Sequence, residues 1–203
     1  MYGLPSTTDV DQVLPKKAFY EHLKLSGAVK DEFVQKIEEL RVVASIKERS
    51  CGFAATDDVR EILVLRVALK GDELPLGVLD AIAANNPNKL VFACAANGDV
   101  QFTVRRGGLQ VGEREPEDMA KLVLSGSTLA DAWDSLCSQV VFGDAGGIGV
   151  DTRIANQKRI AALKDDIAHL ERAHAKEVQP AKRNALFKQI KAAKQEYAEL
   201  GGK

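Results

Sequence analysis

The stretch REILVLRVALKGDELPLGVLDAIAANNPNKLVFACAA, Arg60 to Ala96, decides the fold. Its opening, Arg60–Lys70, is an almost continuous apolar run, the pattern of a strand covered on both faces. LPLGVLDAIAANNP follows, with Pro75 near its start, Leu76, Leu79 and Ile82/Ala83 at helical spacing, and an Asn-Asn-Pro stop. KLVFACAA, Lys89–Ala96, is a second buried strand. Two such strands around one helix predict a β-α-β unit, and a right-handed crossover makes the strands parallel.

Toward the C-terminus, Asn97-Gly98 is a hairpin signal. It leads into DVQFTVRRG, where Val100, Phe102 and Val104 alternate with Gln101, Thr103 and Arg105. That alternation predicts a strand with one wet face. MAKLVLSGS, Met119–Ser127, reads as a further short strand. STLADAWDSLCSQVVF then reads as a helix capped by Ser127 or Thr128, with Leu129, Trp133, Leu136/Cys137 and Val140 on its inner face.

Toward the N-terminus, LRVVASIK (Leu40–Lys47) is β-branched and short and predicts a strand. ERSCGFAATDDV is a loop. Before the strand, Val29, Phe33 and Ile37 recur at spacing four and predict a helix; Gly27 separates it from an earlier one. That earlier helix starts near Pro15, which suits a first helical turn, and places Phe19 and Leu23 on one face. Residues 1–14 read as an extended arm.

Beyond residue 150 the pattern changes. Ile160, Leu163, Ile167 and Leu170 repeat at steps of 3, 4 and 3, a heptad seam. Gln179-Pro180 breaks it, since a residue before proline is pushed out of the helical region. Leu186, Ile190, Ala193, Tyr197 and Leu200 resume it at steps of 4, 3, 4 and 3. The two helices, about 37 and 30 Å long at about 1.5 Å per residue, are each marginal alone. They need each other, the rest of the chain or a second chain.

The fold class expected is therefore an α+β (α/β) mixed-sheet domain containing one β-α-β unit, followed by a C-terminal helical hairpin or coiled coil. The boundaries expected are an α/β body over 1–142, a Gly-rich hinge over 143–151 and a helical arm over 152–203.

VFGDAGGIGVD, Val141–Asp151, supports the hinge. A phosphate loop of the Walker type needs a lysine after its last glycine, and Val150 and Asp151 follow Gly149 instead. A dinucleotide loop needs a third glycine and a preceding strand, and both are missing. Asp144 and Asp151 would repel a phosphate. Gly143 suits the left-handed cap of the preceding helix, and the other glycines suit a flexible joint.

Composition bounds the rest. Of 203 residues, 45% are hydrophobic and 28% charged, an ordinary globular balance. No run of about 18 uncharged apolar residues predicts a membrane helix. The first residues lack the basic-then-apolar order of a signal peptide. Three scattered cysteines, Cys51, Cys94 and Cys137, fit reduced thiols in a cytoplasm. Residues 151–203 carry 12 Lys and Arg against 7 Asp and Glu, while residues 1–150 carry 16 against 22. A basic tail on an acidic body fits a nucleic-acid contact or an acidic partner, and equally a solvated helical face.

No catalytic, metal or cofactor site is expected. His169 and His174 lie about 140° apart round a helix at about 100° per residue, and His22 lies on a surface helix. No cysteine pair has zinc spacing. No G-x-S-x-G elbow supports a serine nucleophile. Cys51 lies in a loop beside Arg49 and near Lys47. The element order invites comparison with nucleases that hold magnesium through an Asp and a Glu-x-Lys. Asp57, Asp58 and Glu61 precede the Arg60–Lys70 strand. Lys70, however, ends it, nine residues and about 30 Å from Glu61. That is too far to share one metal.

The arm LPSTTDVDQVLPKKAFYEHL, then IEELRVVASIK, EILVLRVAL, LPLGVLDAIAANNPNKLVFAC and the closing LERAHAKEVQPAKRNALFKQIKAAKQEYAEL together resemble the bacterial and archaeal domain of unknown function 4391. The resemblance spans nearly the whole chain. It is one of hydrophobic positions and a tail, with no catalytic motif and no functional residue to carry over. It implies a setting beside helicases and DNA methyltransferases in restriction-like or anti-phage loci.

Three readings follow. The first is a non-catalytic interaction protein, an accessory subunit of such a complex, or a homo-oligomer through the coiled coil. Its interaction seam is Ile160, Leu163, Ile167, Leu170, Leu186, Ile190, Tyr197 and Leu200. The second is nucleic-acid binding through Lys182, Arg183, Lys188, Lys191 and Lys194. The third is a degenerate nuclease-like enzyme using Asp58 and Glu61.

Overall fold

A computed structural model describes residues 1–17, 19 and 25–202. The chain divides into two compact units, Met1–Val150 and Asp151–Lys203. The first is a mixed α/β domain built on one open six-stranded sheet in the order β1-β2-β3-β4-β5-β6. The strands are β1 (Asp9–Val13), β2 (Ile37–Ile46), β3 (Ile62–Leu69), β4 (Lys89–Ala96), β5 (Asp99–Arg105) and β6 (Leu109–Pro116). β3 and β4 pair parallel, with helix α3 (Leu76–Ala84) between them in the chain; the other neighbours pair antiparallel. β3 and β4 are buried over most of their length, as their nearly continuous apolar runs require, Arg66 being the one charged residue within β3. Asn97 and Gly98 both adopt positive φ (54° and 87°), the conformation that a tight right-twisted hairpin demands.

Side chains that alternate along the strands supply two cores. Leu65, Val67, Leu90 and Phe92 face a cluster that includes Phe33 and Ile37, with Val78, Leu79 and Ile82 of α3. Helix α4 (Leu129–Phe142) buries Leu129, Trp133, Leu136, Cys137 and Val140, all on its expected inner face. Thr128 caps it: its hydroxyl accepts from the Asp131 N–H, and the Asp131 carboxylate accepts from the Thr128 N–H.

Three expectations are corrected and one unexpected strand is added. Helix α1 (Gly27–Lys36) ends at Lys36, and Ile37 is the first residue of β2 rather than a helical position. The spacing of Val29, Phe33 and Ile37 fits a helix, but Ile37 pairs with Leu69 and is fully buried, so sheet pairing overrides local periodicity. Met119–Ser127 forms no strand; its apolar residues Ala120 and Leu122 plug the core from irregular backbone. The sixth strand is instead LQVGEREP, an edge strand whose polar residues and terminal proline hide it from a period-two search. Finally, Thr103 of β5 is fully buried, so that strand's polar face is not wet throughout.

The N-terminal stretch is fastened down rather than extended free. Tyr2 and Leu4 are buried, and β1 pairs with β2. The Tyr2 hydroxyl donates to Glu117 Oε1 at 2.7 Å. Arg66 of β3 grips the same carboxylate with two hydrogen bonds, 2.7 and 2.9 Å. Burial, helped by the Glu117 charge, pushes the Tyr2 hydroxyl well above its ordinary range. Arg66 holds the Glu117 carboxyl below the usual carboxylate range. Of the predicted first helix, Phe19 packs its ring 5.7 Å from Phe33; Leu23 and His22 lie outside the described residues.

The second unit is two helices, α5 (Val150–Lys176), which begins one residue earlier, and α6 (Pro180–Glu199). Pro180 opens α6 and Gln179 before it is extended, as the Gln-Pro pair predicts. Among the described residues no helix is long and apolar enough to cross a membrane.

Candidate functional site

Two places concentrate chemistry, one in each unit. In the second unit, α5 and α6 run antiparallel. Arg159 gives two hydrogen bonds to Glu196 (2.6 and 2.7 Å), and Lys194 pairs with Glu171 at 2.6 Å. His174 and Phe187 bring their rings within 6.3 Å near the turn. The Arg159 hydrogen bonds pull the Glu196 carboxyl below its ordinary range.

The predicted seam divides on this scaffold. Leu163 (2% exposed) and Ile190 (8%) are buried. Ile160, Ile167, Leu170, Leu186, Tyr197 and Leu200 stay only half-buried. Two apolar side chains outside the seam face solvent near the turn: Val178 is 88% exposed and Phe187 58%. Val178 gave no periodic signal, because it sits between the helices.

The predicted basic residues Lys182, Arg183, Lys188, Lys191 and Lys194 are all exposed. Lys194 is engaged by Glu171. At about 100° per residue, Arg183, Phe187, Lys191 and Lys194 fall within about 80° of arc on α6, on the flank that adjoins the seam. Lys188 lies about 60° beyond that arc, and Lys182 lies on the seam side.

In the first unit, the residues just outside β2, β3 and β4 meet at one end of the sheet. Ile46 lies opposite Ile62, and Ile62 opposite Lys89. One step further along the same registers brings Lys47 and Asn88 to Glu61. The Glu61 carboxylate accepts from Ser45 Oγ (2.6 Å), Lys47 Nζ (2.9 Å) and Asn88 Nδ2 (3.0 Å). Burial would raise this carboxyl; the Ser45 hydrogen bond and the Lys47 ion pair more than offset it and hold it below its ordinary range. Ser45, Lys47 and Asn88 escape sequence reasoning because only the strand registers bring them together. Beside this cluster lies a cavity of about 540 Å³, with Arg49 at its edge.

The other candidate chemistry disperses. Lys70 donates to the Val34 carbonyl at 2.8 Å, at the opposite end of β3 from Glu61. Asp57 and Asp58 are exposed. Among the described residues no group of three His, Cys, Asp or Glu side chains is placed to hold a metal. The Cys51 thiol donates to the Lys47 carbonyl at 3.2 Å at the end of a short helix, α2 (Glu48–Cys51). Burial pushes the Cys94 thiol up to about 12.

The Gly-rich stretch is organised around its aspartate. Gly143 takes the left-handed cap of α4, as its position predicts. Asp144 accepts from Ser138 Oγ (2.7 Å) and from the Gly146 N–H (3.0 Å). Ser135 Oγ donates to the Ala145 carbonyl at 3.0 Å. At Gly147, with φ of 67°, an added Cβ would meet the Ser135 backbone nitrogen at 3.0 Å.

No curated protein and no solved structure matches the chain. Residues 2–196 match the family described as "Domain of unknown function (DUF4391)". A match over nearly all of the chain, on a mixed α/β unit followed by two long helices, shows that this protein belongs to that family.

Proposed function

We propose that this protein is a non-catalytic interaction protein whose C-terminal helices form a coiled-coil docking hairpin. The observation that carries the reading is the incomplete burial of that hairpin. Val178 and Phe187 stand in solvent near its turn, and six of the eight seam residues are only half covered. Apolar side chains gathered at one end of a helical pair are the usual substance of a protein contact. The setting beside helicases and DNA methyltransferases that the family resemblance implies supplies the partner class. The protein is then an accessory subunit of a cytoplasmic restriction-like or anti-phage complex. In this reading β3, α3 and β4 are a β-α-β unit that stiffens the body. The last residues of the 143–151 stretch, beyond the part fastened to α4, are the joint of the docking arm.

A second reading, nucleic-acid binding, draws on Phe187 lying among Arg183, Lys191 and Lys194. An exposed ring between cations suits base stacking beside phosphate contacts. One experiment separates the two. The tagged full chain is purified from its native host after nuclease treatment, beside a Val178→Glu/Phe187→Glu double variant. Recovery of a helicase or methyltransferase with the wild type, lost in the variant, supports docking. Recovery of nuclease-sensitive nucleic acid alone, with affinity falling steeply as salt rises, moves the second reading to first place. Self-association lost in the variant makes a second copy the partner.

A further inference from the structure

The cavity beside Glu61 is built like a small-molecule site, and it is independent of the docking reading. Its volume of about 540 Å³ falls within the roughly 300–1,000 Å³ of ligand pockets. One wall is apolar: Val42 of β2, Leu63 and Leu65 of β3, and Ile82 of α3. Ser45, Lys47, Arg49 and Glu61 form its charged rim, and the uncharged amides of Gln12 and Asn86 complete its polar lining.

The charges on that rim can be followed one by one. Glu61 already accepts three hydrogen bonds, from Ser45, Lys47 and Asn88. It holds the Lys47 ammonium in place and offers little to an incoming donor. Lys47 and Glu61 cancel. Arg49 is exposed and makes no ion pair among the described residues. Among the described residues lining the cavity, two cations, Lys47 and Arg49, stand beside one carboxylate, Glu61, a net charge of +1, and the Arg49 guanidinium is suited to gripping a carboxylate with two parallel hydrogen bonds.

This combination selects the ligand class. A cation would meet Arg49 and find Glu61 occupied. A bare inorganic anion would leave the apolar wall uncovered. A neutral apolar molecule would leave the guanidinium without a partner. We propose that the cavity binds a small monocarboxylate with an apolar body. Its carboxylate sits at Arg49 and Lys47, and its body lies against Val42, Leu63, Leu65 and Ile82.

The test uses the full chain, labelled at its isoleucine, leucine and valine methyls and titrated with octanoate below its micelle-forming concentration. Octan-1-ol is the uncharged control. The expected result is saturable octanoate-dependent shifts centred on the methyls of Val42, Leu63, Leu65 and Ile82. Arg49→Ala lies on an exposed side chain and leaves the methyl spectrum of the free protein intact. It is expected to weaken octanoate about tenfold, the scale of one hydrogen bond to a charged group, and to leave octanol unchanged. Absence of saturable shifts, shifts centred elsewhere, or equal weakening of octanoate and octanol in Arg49→Ala would each overturn the proposal.

Discussion

The two units of this chain solve the burial problem differently. The sheet of the first unit is covered on both sides over its central strands: β4 has six consecutive buried residues, Leu90 to Ala95. Its polar contacts tie distant parts of the chain together, as when Tyr2, Arg66 and Glu117 meet across the sheet. Within 151–203, among the described residues, only Ile154, Leu163 and Ile190 are buried. Two exposed ion pairs, Arg159–Glu196 and Lys194–Glu171, add to its thin apolar seam, and exposed pairs contribute little in water. The first unit completes its core from its own sequence. The second keeps much of its apolar surface half-open, which is the physical basis for assigning it the docking role.

The sharpest way to break this comparison is to create equivalent cavities in the two units. Phe92→Ala removes a fully buried ring from β4 and is expected to destabilise the first unit by about 3–5 kcal/mol, read as a lowered denaturation midpoint by tryptophan fluorescence. Trp133, the single tryptophan, reports on that unit. Leu163→Ala removes one of the few buried side chains of the hairpin. It is expected to cost about 2 kcal/mol, the low end for such truncations, and to lower helical circular dichroism while leaving the tryptophan transition in place. A tryptophan midpoint that drops equally in both variants would show that the two units unfold as one.

A smaller effect sharpens the account of the first unit. Glu117→Gln is expected to cost about 1–3 kcal/mol at neutral pH, because Arg66 loses its charged acceptor. The Glu117 carboxyl lies below its unfolded value when folded. Its contribution is therefore present above the unfolded carboxylate range and disappears as pH falls through the lowered folded value. Chemical denaturation at neutral and acidic pH should show wild type and variant converging on acidification. A gap that stays constant with pH would assign the triad's effect to packing instead of charge.

How much of this was legible from residues alone varies by element. β3, α3 and β4 announce themselves because a strand covered on both faces must be apolar throughout, and the helix between them carries its own stop. The α4 inner face and its Thr128 cap are equally readable, since capping and periodicity are local. The break at Gln179-Pro180 is stereochemical and needs no tertiary context. β6 was missed because an edge strand has one unpaired side and no reason to be apolar. Ile37 was misassigned because two periods compete there, and only pairing with Leu69 decides between them.

The candidate sites follow the same division. The heptad positions of Leu163 on α5 and of Ile190 on α6, and the basic character of α6, are each properties of a single helix and can be read from that helix alone. The grip on Glu61 cannot, since Ser45 and Lys47 come from the end of β2 and Asn88 from just before β4, segments that only strand register aligns with Glu61. The sequence by itself determined which segments are strands, helices and turns wherever hydrophobic period, capping residues and proline act over a few positions. Tertiary structure alone decided the strand order, the part-buried Tyr2–Arg66–Glu117 triad and the charged rim of the cavity. Contacts between residues tens of positions apart leave no periodic trace in the chain that makes them.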